Sequence, residues 1–301
     1  MIKNFLFAFL FVTRLTRLVA WFNRKNVTIL CYLSVTEQQE AKLDDPHQLH
    51  LHVDYFLSHL DYLQRHHQLI SLAEFVRARR ENIKLPDGAA ILTFDDGMRN
   101  FFTVVAPILL KRKIPATAFI VTGENFTREV SDRSSSWRPE DDDSYLSWSE
   151  VRQLAEVGLE FGSHSCTHIT LTDIPPAQAQ AELETSLNTL NSHLGPRSFA
   201  LSYPHGRTSE AVSQLSQSLG YSCAVTTLLG PNDSDSDLFA LRRTVIAAHD
   251  NLPTFAARLS GLTSWYTRLA GPRVDSTNDL DPSPLSHEPL VVEGMHFTDN
   301  L

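Results

Sequence analysis

Polar side chains that can bind a metal ion or move a proton come directly after apolar runs of the chain. Asp95 and Asp96 end one such run and precede Gly97, which lets the chain turn. His164 and His168 follow another run, and a spacing of four residues lets both imidazoles face one ion if the segment turns helically. With a carboxylate such as Asp96, the pair forms a ligand set suited to a divalent catalytic metal. Taken singly, each motif has a simpler explanation: a helix cap or solvated carboxylate for the first, and incidental loop histidines for the second.

Two later segments repeat this arrangement of polar residues after an apolar run. Tyr203 and His205 follow one run, and His249 and Asp250 follow another. In a parallel barrel the carboxyl ends of all strands open on one rim, so the four segments would meet there. Four strand ends that each carry ligand-type or proton-transfer residues are harder to explain by chance than any single one. The sequence therefore predicts a catalytic site on this rim.

The elements that must position these residues alternate between strand-like and helix-like patterns. This alternation predicts an α/β fold, specifically a distorted (β/α) barrel of about seven parallel strands in a single domain. A capping box formed by Ser147 and Glu150 marks the start of one helix. The predicted strands are 27–32, 89–94, 116–121, 159–162, 199–202, 222–226 and 244–248, and the predicted helices are 53–66, 101–112, 148–157, 176–193 and 210–219.

Composition excludes several classes of protein. A chain of 301 residues with 42% hydrophobic residues can bury a large core, which excludes collagen-like and wholly disordered chains. Lys and Arg total 26 against 35 Asp and Glu, a net charge of -9 that argues against nucleic acid as a partner. Cys31, Cys166 and Cys223 lie far apart without a Cys-x-x-Cys pair, so neither a disulfide framework nor a thiolate zinc site is indicated.

The two ends of the chain differ from the predicted catalytic domain, residues 27–270. Residues 1–26 form a basic amphipathic segment whose apolar run is too short to span a membrane. Two interpretations stay open: a helix that gives peripheral membrane contact through residues 1–25, or a helix packed on the domain's own surface. Residues 271–301 form an acidic, proline-containing tail that is predicted to be disordered, and residues 127–144 a solvated surface loop. A cell-envelope or membrane-associated location is favoured over a freely cytoplasmic one.

Three motifs in this order resemble those of the polysaccharide deacetylase (NodB-homology) family, similar to carbohydrate esterase family 4. Its members are metal-dependent amidohydrolases that remove N-acetyl groups from amino-sugar polymers. Residues 93–97 (Thr-Phe-Asp-Asp-Gly) resemble the first motif, 164–168 (His-Ser-Cys-Thr-His) the second, and 203–206 (Tyr-Pro-His-Gly) a variant of the third. The resemblance spans roughly residues 27–265 and does not cover the ends.

The resemblance implies a role for each matching residue. Asp96, His164 and His168 would bind a divalent metal, with Zn²⁺ the first choice, and Asp95 would be the general base. A bound ion lowers the pKa of its water from about 15.7 towards 7, and a nearby carboxylate can then take the proton. The resemblance further implies that a backbone amide of the third motif stabilises the oxyanion. The Tyr203 and His205 side chains would line the sugar site.

The chain also departs from the family pattern. Leu33 stands where many relatives carry a histidine that can donate a proton to the leaving amine. The donor is then His249, a metal-bound water, or absent. Ser202 and His205 stand where many relatives place an arginine or alanine and a tyrosine, and the loss of such an arginine would remove an orienting partner for the base.

These observations lead to three hypotheses. The first is a metal-dependent hydrolase that removes N-acetyl groups from an N-acetylhexosamine-containing polysaccharide or envelope glycan. The second, motivated by Leu33, is a catalytically impaired carbohydrate-binding protein on the same scaffold. The third is an amidohydrolase for a small non-sugar amide. A local group of histidines is assigned mostly to the solvent side of the first helix rather than to a metal: 47, 50, 52, 59, 66 and 67.

Overall fold

The structure, a computed structural model, describes residues 7, 11, 13, 16, 23–38, 50–124, 126–127, 145–197 and 199–261. The predictions for residues 128–144 and 271–301 concern parts of the chain outside the described residues, as do most of those for residues 1–22. At the described positions near the start, Phe7 and Thr16 are buried, and the Phe11 ring lies 6.3 Å from that of Tyr62. These contacts favour packing on the domain's own surface. Among the described helices, none has the length and apolar character needed to cross a membrane.

A curled sheet of parallel strands forms the centre of the described fold. The described strands are β1 (Thr28–Tyr32), β2 (Ser34–Thr36), β3 (His50–His52), β4 (Gln68–Leu69), β5 (Ala89–Phe94), β6 (Thr117–Ile120), β7 (Glu160–Ser163), β8 (Ala200–Ser202), β9 (Cys223–Val225) and β10 (Thr244–Val245). In the central sheet they run in the order β10-β1-β5-β6-β7-β8-β9, with β4 paired to the start of β5, while β2 and β3 form a separate pair. All seven predicted strands are present, so the predicted distorted barrel of parallel strands is confirmed.

Helices cover the outer face of this sheet. The five predicted helices are present, although the second begins with a π-helical turn at Phe101–Val105, and the predicted Ser147–Glu150 capping box is formed. Two nine-residue helices, Leu72–Arg80 and Leu252–Ser260, were not predicted. The helices are α1 (Val53–His66), α2 (Leu72–Arg80), α3 (Ala106–Arg112), α4 (Trp148–Glu156), α5 (Pro176–Leu194), α6 (Glu210–Ser218) and α7 (Leu252–Ser260).

The missed helix α7 explains why one histidine prediction was wrong. His59 is fully buried on α1, and its ring stacks on Phe255 of α7 with centroids 3.8 Å apart. Its Nε2 lies 2.7 Å from the Asp250 carbonyl oxygen, which satisfies the ring within the core. His50 is also buried, with Nδ1 2.6 Å from the Ser34 hydroxyl on the neighbouring strand. Solvent exposure, predicted for most of this histidine group, holds for His66 but not for these two, while His52 and His67 are half-buried and His47 lies outside the described residues.

The barrel closes through one irregular segment, residues 241–245. Leu241 forms a parallel bridge to Val225 of β9, and three residues later Thr244 pairs with Leu30 of β1. The segment thus moves from one edge of the sheet to the other. Arg243 lies between these two pairings, and its side chain is fully buried. Closure therefore places the positively charged side chain of Arg243 inside the barrel.

Candidate active site

The first motif leaves the sheet at the carboxyl end of β5. All six residues of β5 are buried, and the Asp95 amide continues the ladder by donating to the Tyr32 carbonyl at 3.0 Å. Asp96 and Gly97 then both adopt left-handed backbone angles, with φ +70° and +71°. A Cβ on Gly97 would lie 2.9 Å from the Ile120 Cγ2 atom, so this close turn requires glycine. The turn directs the carboxylates of Asp95 and Asp96 into two different polar environments.

The structure brings together the three predicted metal ligands. Nε2 of His164 lies 3.3 Å from Oδ1 of Asp96, and Nε2 of His168 lies 3.4 Å from the same oxygen. The two Nε2 atoms are 3.1 Å apart. Ligands at about 2.0–2.1 Å from one tetrahedral ion are separated by about 3.3 Å, so these atoms have the spacing of a shared coordination sphere. Within the described residues, this is the one cluster of three or more such side chains able to hold an ion.

The hydrogen bonding of His164 also fits metal ligation. Its Nδ1 donates to the Ser202 carbonyl at 2.8 Å, at the end of β8. This bond favours the tautomer with the proton on Nδ1, which leaves the Nε2 lone pair directed at Asp96 and His168. The His164 side chain is almost fully buried, whereas those of Asp96 and His168 are each about one-fifth exposed. The buried His164 therefore anchors the cluster, while Asp96 and His168 are accessible to solvent at the rim of the barrel.

Electrostatics within the cluster favour a cation. Burial raises the pKa of the Asp96 carboxyl, but hydrogen bonds from His164 and His168 outweigh it and hold that pKa far below its usual range. Burial lowers the pKa of His164, yet the carboxylates of Asp96 and Asp95 raise it on balance. The Asp96 shift arises because imidazole N–H groups stabilise its carboxylate, and the His164 shift arises because two carboxylates concentrate negative potential where the imidazole nitrogens converge. A divalent cation would be attracted to the same position.

Asp95, the predicted base, lies in a different polar environment, paired with Arg243. The guanidinium forms a two-pronged contact with this buried carboxylate, at 2.7 Å to Oδ1 and 2.6 Å to Oδ2. The Ser202 hydroxyl donates to Oδ2 at 3.1 Å, and the Cys31 thiol lies 3.5 Å from the same oxygen. Burial raises the pKa of Asp95, but the attraction of Arg243 outweighs it, so the carboxyl is ionised at neutral pH.

Arg243 corrects an expectation from the sequence. Ser202 was expected to leave the base without an orienting arginine, but Arg243 provides one from the closing segment of the barrel. The guanidinium is fixed by further bonds: Nε donates to the Thr226 carbonyl at 2.8 Å, and a terminal nitrogen donates to the Ser202 hydroxyl at 3.0 Å. Sequence reasoning missed it because arginine is usually exposed. The available signal was a charged residue directly before an apolar strand.

The remaining residues singled out from the sequence lie in different environments from one another. His205 packs its ring against His168, with centroids 4.7 Å apart, and is half-buried beside the metal ligands. Tyr203 is fully buried, and its hydroxyl donates to the Phe239 carbonyl at 3.0 Å, so its side chain belongs to the core and does not line a sugar site. His249 is exposed on the loop after β10. Leu33 is half-buried directly after β1.

Several known proteins described as polysaccharide deacetylases are similar to this chain. A family model described as Polysaccharide deacetylase matches residues 82–224. The poly-beta-1,6-N-acetyl-D-glucosamine N-deacetylase of Staphylococcus epidermidis is 22% identical over 216 residues, which are 68% of this chain and 71% of that protein. The Escherichia coli (strain K12) protein of the same name is 33% identical over 102 residues, 33% of this chain but only 15% of the longer E. coli protein.

A solved structure shares the fold over most of the chain. The structure of Streptococcus pyogenes deacetylase PplD in complex with acetate superimposes with a TM-score of 0.67 and 24% sequence identity. The alignment covers 78% of this chain and 98% of that chain. This likeness supports the barrel architecture independently of the motifs.

Proposed function

The chain belongs to the polysaccharide deacetylase family, and from this premise we propose that it is a metal-dependent hydrolase of N-acetylated glycans. Its substrate is an N-acetylhexosamine-containing polysaccharide of the cell envelope, and its product is the free amine and acetate. The convergence of Asp96, His164 and His168 on one point carries this proposal. Two curated relatives are named as deacetylases of poly-beta-1,6-N-acetyl-D-glucosamine, which makes a polymer of that sugar the first substrate to test.

Three residues of the chain would hold the metal: Asp96 through a carboxylate oxygen, and His164 and His168 through Nε2. Zn²⁺ suits two imidazoles and one carboxylate. When bound, such an ion supplies Lewis acidity, which polarises a carbonyl and lowers the pKa of a coordinated water. The Ser202 carbonyl keeps His164 in the ligating tautomer through its bond to Nδ1. The partial exposure of Asp96 and His168 leaves room for a substrate to approach.

Asp95 would accept the proton from the attacking water. Its carboxyl is ionised at neutral pH because Arg243 lowers its pKa, so it is in the form that accepts a proton. The bonds from Arg243 and Ser202 fix its orientation. A backbone amide of residues 203–206 would stabilise the oxyanion that develops on the acetyl group. His205, packed on His168, would contact the sugar.

The remaining role is that of the group that donates a proton to the leaving amine. Leu33 cannot supply a proton at the position where relatives carry histidine. We assign the role to His249, which lies on the loop that follows β10 at the same rim of the barrel. A His249→Gln variant should then lose acetate release with metal content unchanged. Unchanged acetate release in His249→Gln would exclude His249 from this role.

The test of the proposed function is acetate release from N-acetylglucosamine oligomers, measured together with bound metal. Asp95→Asn should keep the metal and lose about 100-fold or more of the rate, as expected for removal of a general base. Asp96→Asn should lose both metal and activity. Asp87→Asn is the matched control, because Asp87 is exposed, pairs with Arg24 and precedes the opposite end of β5. Equal rates in Asp95→Asn and the wild type would contradict the proposed mechanism.

A second function is favoured by one observation, Leu33. Loss of the family's proton donor would produce a carbohydrate-binding protein that keeps the scaffold and the metal but turns over slowly. A Leu33→His variant should then release acetate much faster than the wild type. The wild type should already bind the glycan. If the wild type releases acetate efficiently and Leu33→His changes nothing, this alternative is wrong.

A further inference from the structure

The segment that carries both histidine ligands, residues 164–168, has a strained backbone conformation. Ser165 and His168 adopt left-handed angles, with φ +62° and +63°, although neither is glycine. Such a conformation costs about 1–3 kcal/mol per residue and persists only where surrounding contacts impose it. Because His168 is itself one of the strained residues, any relaxation of this backbone would move its imidazole away from His164. The contacts that hold the segment therefore determine how well the ligands are preorganised.

A carboxylate from α5, Glu182, forms the largest set of side-chain contacts with this segment. Its Oε2 accepts from the backbone amides of Cys166 at 3.0 Å and Thr167 at 2.8 Å. Its Oε1 accepts from the Thr167 hydroxyl at 2.8 Å. Hydrogen bonds to an ionised acceptor are shorter and about twice as strong as neutral ones. Glu182 thus holds the middle of the segment between the two ligands.

Other contacts hold the two ends of the segment but leave its middle to Glu182 and one backbone bond. The Ser165 amide donates to the Ser163 hydroxyl at 3.1 Å, and the His168 amide donates to the Ser165 hydroxyl at 3.0 Å. The Cys166 carbonyl accepts from the Gly123 amide at 2.8 Å. The Cys166 and Thr167 amides point the other way, towards α5. Glu182 is the group that satisfies both.

We propose that Glu182 is a positioning residue that sets the metal affinity of the site by holding the backbone between His164 and His168. This inference rests on the proposed metal-dependent function and deepens it. Glu182 contacts neither substrate nor metal ligand side chains in these bonds; it acts through the backbone that joins the ligands. Loss of outer groups that orient metal ligands typically costs about 10–100-fold in metal affinity. Removal of Glu182 should fall in this range.

The experiment compares Zn²⁺ binding by the full-length wild type, Glu182→Ala, Glu182→Gln and Glu184→Ala, by competition with a chelating dye. Glu184 is exposed on the same helix, so Glu184→Ala matches the change in charge and helix composition without touching the segment. We expect the dissociation constant to rise about 10–100-fold in Glu182→Ala. Glu182→Gln should recover part of the loss, because its amide oxygen still accepts from the backbone. Glu184→Ala should match the wild type.

A second measurement, on the metal-free protein, reports the backbone directly. Hydrogen exchange at the Cys166 and Thr167 amides should be at least about tenfold faster in Glu182→Ala than in Glu184→Ala, since their acceptor is gone. A purely structural role would lower the melting temperature of the metal-free protein without changing the dissociation constant for Zn²⁺. Unchanged affinity in Glu182→Ala, with wild-type protein that binds Zn²⁺, would overturn the inference and leave the proposed function intact. Failure of the wild type to bind Zn²⁺ would overturn both the proposed function and the affinity claim.

Discussion

Replacement of Arg243 by methionine would test the buried ion pair beside the candidate metal site. Arg243 is fully buried and its guanidinium contacts both oxygens of Asp95, whose side chain is only 6% exposed. Methionine keeps much of the apolar volume of the side chain but removes every hydrogen-bond donor. Asp95 would then be a buried carboxylate without a counter-charge.

The expected loss follows from this geometry. Breaking a buried pair by removing one partner costs about 3–5 kcal/mol, because the remaining charge is uncompensated. Native domains have unfolding free energies of about 5–15 kcal/mol, so the variant should still fold. With Arg243 gone, burial is the largest remaining influence on Asp95 and outweighs the attraction of His164, so we expect the pKa of Asp95 to rise above the unfolded value. The carboxyl of the folded variant is then more easily protonated, so the stability loss should be larger at pH 7 than at pH 4.

Urea denaturation at both pH values measures this loss. Arg242→Met is the matched control, since the neighbouring Arg242 side chain is exposed, and it should change the unfolding free energy by less than about 0.5 kcal/mol. The double variant Asp95→Asn, Arg243→Met should lose less than the sum of the single variants, with a coupling of about 2 kcal/mol or more. A loss below about 1 kcal/mol, or additive single variants, would refute the reasoning.

Two further predictions concern residues outside the ion pair. Burial lowers the pKa of His59 from 6.5 to about 4, so the folded protein keeps it neutral while the unfolded chain protonates it, and stability falls as pH decreases through this window. In urea melts, the stability gap between wild type and His59→Gln should therefore shrink by up to about 3 kcal/mol from pH 7 to pH 4; a constant gap would contradict this. Gly97→Ala should cost more stability than Gly158→Ala and weaken Zn²⁺ binding, because both glycines have positive φ but only at Gly97 would a Cβ meet Ile120. Equal melting temperatures in the two alanine variants would contradict the role of that contact.

Local patterns in the sequence predicted the motifs and most of the elements. The apolar run of β5 predicts a buried parallel strand, because both of its faces are covered, and the glycine after it predicts the turn. The four-residue spacing of His164 and His168 predicts a shared ion, and their Nε2 atoms are 3.1 Å apart. These features depend on residues within one strand and its following loop, so neighbouring residues along the chain suffice to reveal them.

Other features depended on distant segments and could not be read locally. Tyr203 lies in a motif that suggests a sugar contact, yet its side chain is fully buried. His59 is buried because α7, nearly 200 residues further on, covers its face of α1. Short helices such as α7 carry too little periodicity to be recognised without their packing partners.

The sequence by itself predicted the candidate ligand set, the barrel of parallel strands and the carboxylate next to the candidate metal site. Only the tertiary structure decided which cation orients that carboxylate, because Arg243 comes from the segment that closes the barrel, 148 residues after Asp95. It likewise decided that Glu182 of α5 holds the backbone between the two histidines. The physical reason is the same in both cases: a buried charge is stabilised by whichever partner the packing brings within hydrogen-bond distance, and sequence separation carries no information about that distance.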